Sequence, residues 1–208
     1  MALRLLPFRQ YDEQDVVNLY ALESSLALAS TTGDGAGSNG VFVSVSTGNF
    51  NADTVTYGSS DYLGKTDYPF VGADMYPSND ALTIKAAANG TLPLGLTLNQ
   101  TAKADENGEK LLYNTTKKEE LQAVLPGQSV PVATKGIFTL SADAFDGAAS
   151  AYTVGTGVVI SSVTDGKIEA GDPLATTSLG TVLGTGSRAS QGGLTDQFAG
   201  EYIVVKIG

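Results

Sequence analysis

The sequence predicts a mainly β protein, with a β-barrel or β-sandwich body behind an extended N-terminal arm and a short helix. Short runs with period-two alternation recur from Val41 to the C-terminus, separated by turns rich in Gly, Pro, Asn and Asp. Strands at this density signal a sandwich or barrel rather than alternating β and α units. With 208 residues and 42% hydrophobic content, the chain can bury one substantial core or two small ones.

The first element is the arm, "MALRLLPFRQ". Its apolar run is broken by Arg4, Pro7, Arg9 and Gln10, short of the roughly 7 to 15 apolar residues of a secretory h-region and the roughly 20 of a membrane span. The arm is therefore expected to belong to the mature, soluble protein. Next, Asp12 stands as an N-cap with Asp15 three residues on, and Val16, Leu19 and Tyr20 recur at helical spacing, which predicts a short helix. "STTGDGAGSNG", residues 30 to 40, reads as a flexible linker.

Beyond it, Val41, Val43 and Val45 alternate with Phe42, Ser44 and Ser46, and "TVTY" at 54–57 follows a polar turn, as in a hairpin. Further strands are expected at 82–86, 94–99, 110–114, 128–135, 136–140, 157–163, 180–184 and 201–207. Only "KKEELQAV", 117–124, otherwise resists the β reading. The implied organisation is an arm and helix (1–30), a linker (31–40), a β-rich domain (41–116) and a C-terminal barrel-like domain (117–208).

Composition narrows the chemistry. There is no Cys, hence no disulfide framework or thiol nucleophile, and no His, the commonest general base and transition-metal ligand. With 22 acidic against 12 basic residues, the chain is poorly suited to neutralising phosphates, so no nucleic-acid partner is expected. The excess is uneven, with ten acidic residues and only Lys65 between Asp12 and Ile84. A solvated acidic surface is the favoured reading and a cation-binding patch the alternative.

Four motifs invite a chemical reading. "GTGSRA", 184–189, has the GxGxxA form of a dinucleotide fingerprint, but a loop rather than a helix follows, so a β-turn is expected. "ADENGE", 104–109, lacks the spaced acidic positions of a calcium loop and reads as a turn. Three sequons begin at Asn89, Asn99 and Asn114, and would matter only in a eukaryotic secretory pathway. Thr134 beside Lys135 is the nearest approach to a hydroxyl-lysine pair, on a strand where polar residues face water. No catalytic constellation, cofactor or metal site is expected.

Two segments carry a resemblance. "LPLGLTLNQTAKADENGEKLLYNTTKKEELQAVLPGQSVPVATKGIFTL", 92–140, resembles small β-rich virion proteins of tailed bacteriophages, with their "PG-x-x-V-x-V" strand leading into "G-I-F-T-L". The run "GKIEAGDPLATTSLGTVLGTG" and the closing "GEYIVVKIG" resemble the same group's final barrel, and the opening "MALRLLPFRQYDEQDVVNLYAL" is similar to the start of cyanophage-like structural proteins. Residues 58–81 match no part of that pattern.

The resemblance implies a capsid decoration, or cement, protein on the outer surface of the virion head, with the major capsid protein as partner, self-association as a homotrimer, and neither nucleic acid nor membrane bound. On that reading Leu3, Leu5, Leu6 and Phe8 fill a groove on the shell, Arg4 and Arg9 meet its acidic groups, and the helix bearing Val16, Leu19 and Tyr20 lies against it. A chain beginning near Ser38 should then fold but fail to attach. The alternatives are a neck, tail or baseplate subunit, or a fibre-borne carbohydrate-binding module. Nine Tyr keep the last open, although Trp is absent and aromatic residues make up 8%.

Overall fold

The alternating runs become strands in a computed structural model that describes residues 4–21, 36–37, 39–49, 80–102, 105, 107–125, 129–190 and 198–208. In chain order they are β1 (Leu5–Gln10), β2 (Val16–Ala21), β3 (Ala36–Gly37), β4 (Phe42–Asn49), β5 (Asp80–Ala86), β6 (Gly95–Thr97), β7 (Gln100–Ala102), β8 (Ala123–Val124), β9 (Ser129–Ala133), β10 (Gly136–Ser141), β11 (Gly157–Ile160), β12 (Ile168–Gly171), β13 (Gly180–Arg188) and β14 (Gly200–Ile207). The fold is mainly β, as expected. One sheet has the order β1-β10-β14-β13-β11-β12, the pairings β2-β5-β4-β6-β9 close on themselves as a small barrel, and β3-β7-β8 form a third, minor sheet.

Period-two alternation decides which side chains meet. Phe138 and Leu140 of β10, Ile203 and Val205 of β14, Val182 of β13, Val158 of β11 and Ile168 of β12 are all fully or almost fully buried on one face of the six-stranded sheet. They share a single core with Phe42, Leu96, Leu98 and Ala133 from the barrel side. The barrel's own interior holds Leu19, Val41, Val43, Ile84, Val130 and Val132. Along residues 41–43 successive side chains thus serve different cores, the valines filling the barrel and Phe42 the seam against the sheet. At about 1.5–3 kcal/mol for each large aliphatic side chain buried, this seam binds the two bodies strongly.

The N-terminal segment departs from expectation. β1 is the outer strand of the six-stranded sheet, antiparallel to β10, with an irregularity between Leu5 and Arg9. That irregularity spans Pro7, which has no N–H to give a ladder and is tolerated at such an edge. Asp12 does cap a turn, its Oδ1 accepting from the Gln14 N–H at 2.9 Å, but the turn is a single 3-10 turn, Glu13–Asp15. Val16 is already extended, and β2 pairs with β9 from Val16↔Ala133 to Tyr20↔Ser129. The helix expected from Asp12 to Tyr20 is therefore a turn and a strand. A cap stabilises either kind of turn, and the β-branched Val16 and Val17 find a ladder that only β9 can supply.

The two N-terminal strands thus follow β9 and β10 in one antiparallel ribbon that crosses from barrel to sheet. At the crossing, the Thr134 N–H and hydroxyl both donate to the Asp15 carbonyl, at 2.8 and 2.9 Å. Gly136 has φ +141°, and a Cβ there would stand 2.7 Å from the Gln10 carbonyl oxygen and 2.9 Å from Tyr11 Cβ, so only glycine allows this close approach.

Of the expected linker, residues 31–35 and 38 lie outside the described residues, while β3 pairs with β7. Asn39 Oδ1 accepts from the Leu5 N–H at 3.3 Å, fastening the linker's end to the arm. The expected strand at 54–57 and most of segment 58–81 also lie outside the described residues, and β4 pairs instead with β5. Residues 111–113 form a turn rather than a strand, with Leu111 buried in a small cluster beside Ala102, Ala123 and Leu125. The expected helix within 117–124 is present as Thr115–Glu120, capped by Asn114 Oδ1, which accepts from the Lys117 N–H at 3.2 Å. Nor do the strands divide by sequence at Thr116, since β9 completes the barrel while β1 joins the sheet.

Candidate attachment surface and cleft

The residues expected to dock on a partner have separate fates. Leu5, Leu6 and Leu19 are buried at 3%, 9% and 8% exposure, and a side chain inside its own core cannot also fill a groove elsewhere. Arg4 is partly buried, with Nε lacking a hydrogen bond among the described residues. Burial pushes its guanidinium below its ordinary pKa, against the opposing influence of Asp143 and Asp146. Leu3 and the Tyr20 side chain lie outside the described residues. Among the described apolar residues of this set, Phe8 alone stands out, 62% exposed on the outer strand.

Arg9 and Val16 meet in a cleft of about 310 Å³, lined also by Tyr11, Glu13, Asn18, Leu98, Asn99 and Pro131. The lining comes from three segments of backbone, residues 9–18, 98–99 and 131. Arg9 is near the end of β1, Tyr11 and Glu13 are on the connection, Asn18 is on β2 opposite Pro131 of β9, and Leu98 and Asn99 join β6 to β7. The Leu98 N–H donates to the Pro131 carbonyl at 3.0 Å, and the Tyr11 ring stacks on Phe138 with centroids 5.9 Å apart. The sequence signals for this site are slight: Asn18 interrupts the apolar run of β2, and Asn99 stands out only as a sequon.

A second polar cluster lies beneath the loop from Ala142 to Tyr152. Asp146 accepts from the Ser161 hydroxyl at 2.5 Å and pairs with Lys167 at 3.3 Å. The Tyr152 hydroxyl donates to the carbonyls of Asp146 and Ile168, at 2.7 and 3.1 Å. Burial acts to raise the Asp146 carboxyl, but hydrogen bonds from Ser161, Thr164 and Lys167, together with the Lys167 charge, outweigh it and hold the group below its ordinary value. Burial, with the charges of Asp146 and Glu169, pushes the Tyr152 phenol above its own. Ser161 is 1% exposed, so no substrate reaches its hydroxyl, and the cluster acts as a latch between the loop and the turn before β12.

The other motifs resolve into structure. "GTGSRA" lies in β13 for all but its last residue, so it is a strand rather than the expected turn. Asp105 closes the turn at 105–109, its Oδ1 accepting from the N–H groups of Asn107 and Glu109 at 2.9 and 2.8 Å. The Thr134 hydroxyl is engaged by the Asp15 carbonyl. Among the described residues no group of three acidic side chains is placed to hold a metal ion. Much of the acidic excess between Asp12 and Ile84 lies outside them.

The chain matches no family model, no curated protein and no solved structure. Among the described residues, the β scaffold presents exposed aromatic side chains at Phe8 and Tyr113 and a polar cleft beside β1.

Proposed function

We propose that the protein is a structural component of a tailed-phage virion, a capsid decoration protein bound to the outer surface of the head. The observation that carries the mode of attachment is Phe8, 62% exposed on the outer strand, in the irregular stretch between the β10 pairings of Leu5 and Arg9. An aromatic side chain has only two rotatable bonds to order on binding for a large contact area, which favours it as a contact residue. Arg9 beside it offers a cation to an acidic partner such as the shell. The resemblance of residues 92–140 and of the C-terminal run to virion proteins supports the setting, and the net charge of −10 suits a protein kept apart from packaged DNA. This reading replaces a flexible adhesive arm with a preformed face.

One such face gives only weak attachment, and three together on a homotrimer raise apparent affinity by roughly 10² to 10⁴. The test is co-sedimentation with heads stripped of the protein. Phe8→Asp is expected to abolish binding while leaving the melting temperature within a few degrees, because the side chain is exposed. Full occupancy by Phe8→Asp would place the contact elsewhere on the body.

A further inference from the structure

We infer that the cleft between the N-terminal ribbon and the β6–β7 connection binds a neutral sugar ring. Its volume, about 310 Å³, lies at the small end of ligand pockets of roughly 300–1,000 Å³, so it suits an occupant of one ring rather than an extended chain. Arg9, Glu13, Asn18 and Asn99 bring a guanidinium, a carboxylate and two carboxamides to its walls. None of these four side chains has a hydrogen bond or ion pair to another described residue. Arg9 and Glu13 share the cleft without pairing, which leaves both for a third party.

The mixture selects the ligand class. A guanidinium only donates, a carboxylate only accepts and a carboxamide does both, which matches a ring of hydroxyls that each donate and accept. The single positive and single negative charge cancel, which disfavours phosphates and polycations. Half-buried Val16, with Pro131, gives the cleft an apolar wall that suits the C–H face of a sugar, while Leu98 lies almost wholly buried beneath it. The backbone of the walls is held by the Asn18↔Pro131 pairing, the Leu98 to Pro131 hydrogen bond and the Tyr11–Phe138 stack, so it needs little rearrangement on binding. The inference stands on the cleft alone and does not depend on where the protein sits in a virion.

The test uses the full-length protein and nuclear magnetic resonance titration with D-glucose, D-galactose, D-mannose, N-acetyl-D-glucosamine and L-fucose, with glycine and inorganic phosphate as charged comparators. At least one sugar is expected to give saturable shifts confined to residues around the cleft. Glu13→Gln and Asn18→Ala, checked for an unchanged fold by circular dichroism, are each expected to weaken it by roughly tenfold, the loss of one hydrogen bond to a polar ligand. Absence of saturable shifts with every sugar would overturn the inference. So would tighter binding of glycine or phosphate, or sugar binding that survives unchanged in the Arg9→Ala/Asn99→Ala double variant.

Discussion

Ile203 and Asp146 show how differently single side chains hold this fold. Ile203 is fully buried on β14 opposite Leu140 of β10, so Ile203→Asp places an unpaired carboxylate in the shared core. The expected loss is about 4 kcal/mol or more, measured by denaturant unfolding. Asp146 contributes through polar contacts, and Asp146→Asn should cost about 1–3 kcal/mol at neutral pH by weakening the links to Lys167 and Ser161. Its carboxyl is depressed in the folded state, so its contribution is fully present above the ordinary carboxylate range and is lost as pH falls through the lower, folded value. The stability gap between parent and Asp146→Asn should therefore narrow on acidification from pH 7 towards pH 2. A gap that stayed constant would mean that Asp146 is not held ionised by its neighbours. Core residues such as Ile203 were legible in the sequence, because alternation with period two survives in any strand buried on one face. The cleft was not, since the segment bearing Arg9 and Asn18 is remote in sequence from Asn99 and Pro131, and the three meet only after the barrel closes.

At the scale of elements, the N-terminal segment has the largest consequence. β1 and β2 each complete a different body, and β2 stands between β5 and β9 in the closed barrel. A chain starting near Ser38 would open that barrel and remove Leu5 and Leu19 from the two cores, so it is now expected to unfold or aggregate, the reverse of what a free arm implies. Circular dichroism and proton chemical-shift dispersion of that truncated chain measure this, and native-like dispersion would show that the ribbon is dispensable. Leu5→Ala offers a milder probe, with an expected cost of about 2–5 kcal/mol by thermal or denaturant unfolding. The segment misled sequence reasoning because its cues are local. Asp12 caps a turn whether that turn becomes a helix or ends after Asp15, and the partner that makes β2 a strand lies more than a hundred residues away. By contrast β9, β10, β13 and β14 were readable, since Gly and Pro punctuate runs whose alternation is undisturbed.

Taken whole, the molecule couples a barrel and a six-stranded sheet through one continuous core, with the ribbon of β1, β2, β9 and β10 running across both. Such a body suits a part that bears load, because a force applied at the outer strand is shared by two sheets. Phe8 and the cleft-lining Arg9 are neighbours on β1, so the proposed attachment and ligand binding both involve this outer strand. Cryo-electron microscopy of virions carrying the protein tests this most directly. The expected result is density for the β body on the outside of the head, with the β1 edge and Phe8 turned towards the shell. Density at the neck, tail or baseplate, or a head-bound body with Phe8 turned to solvent, would contradict it.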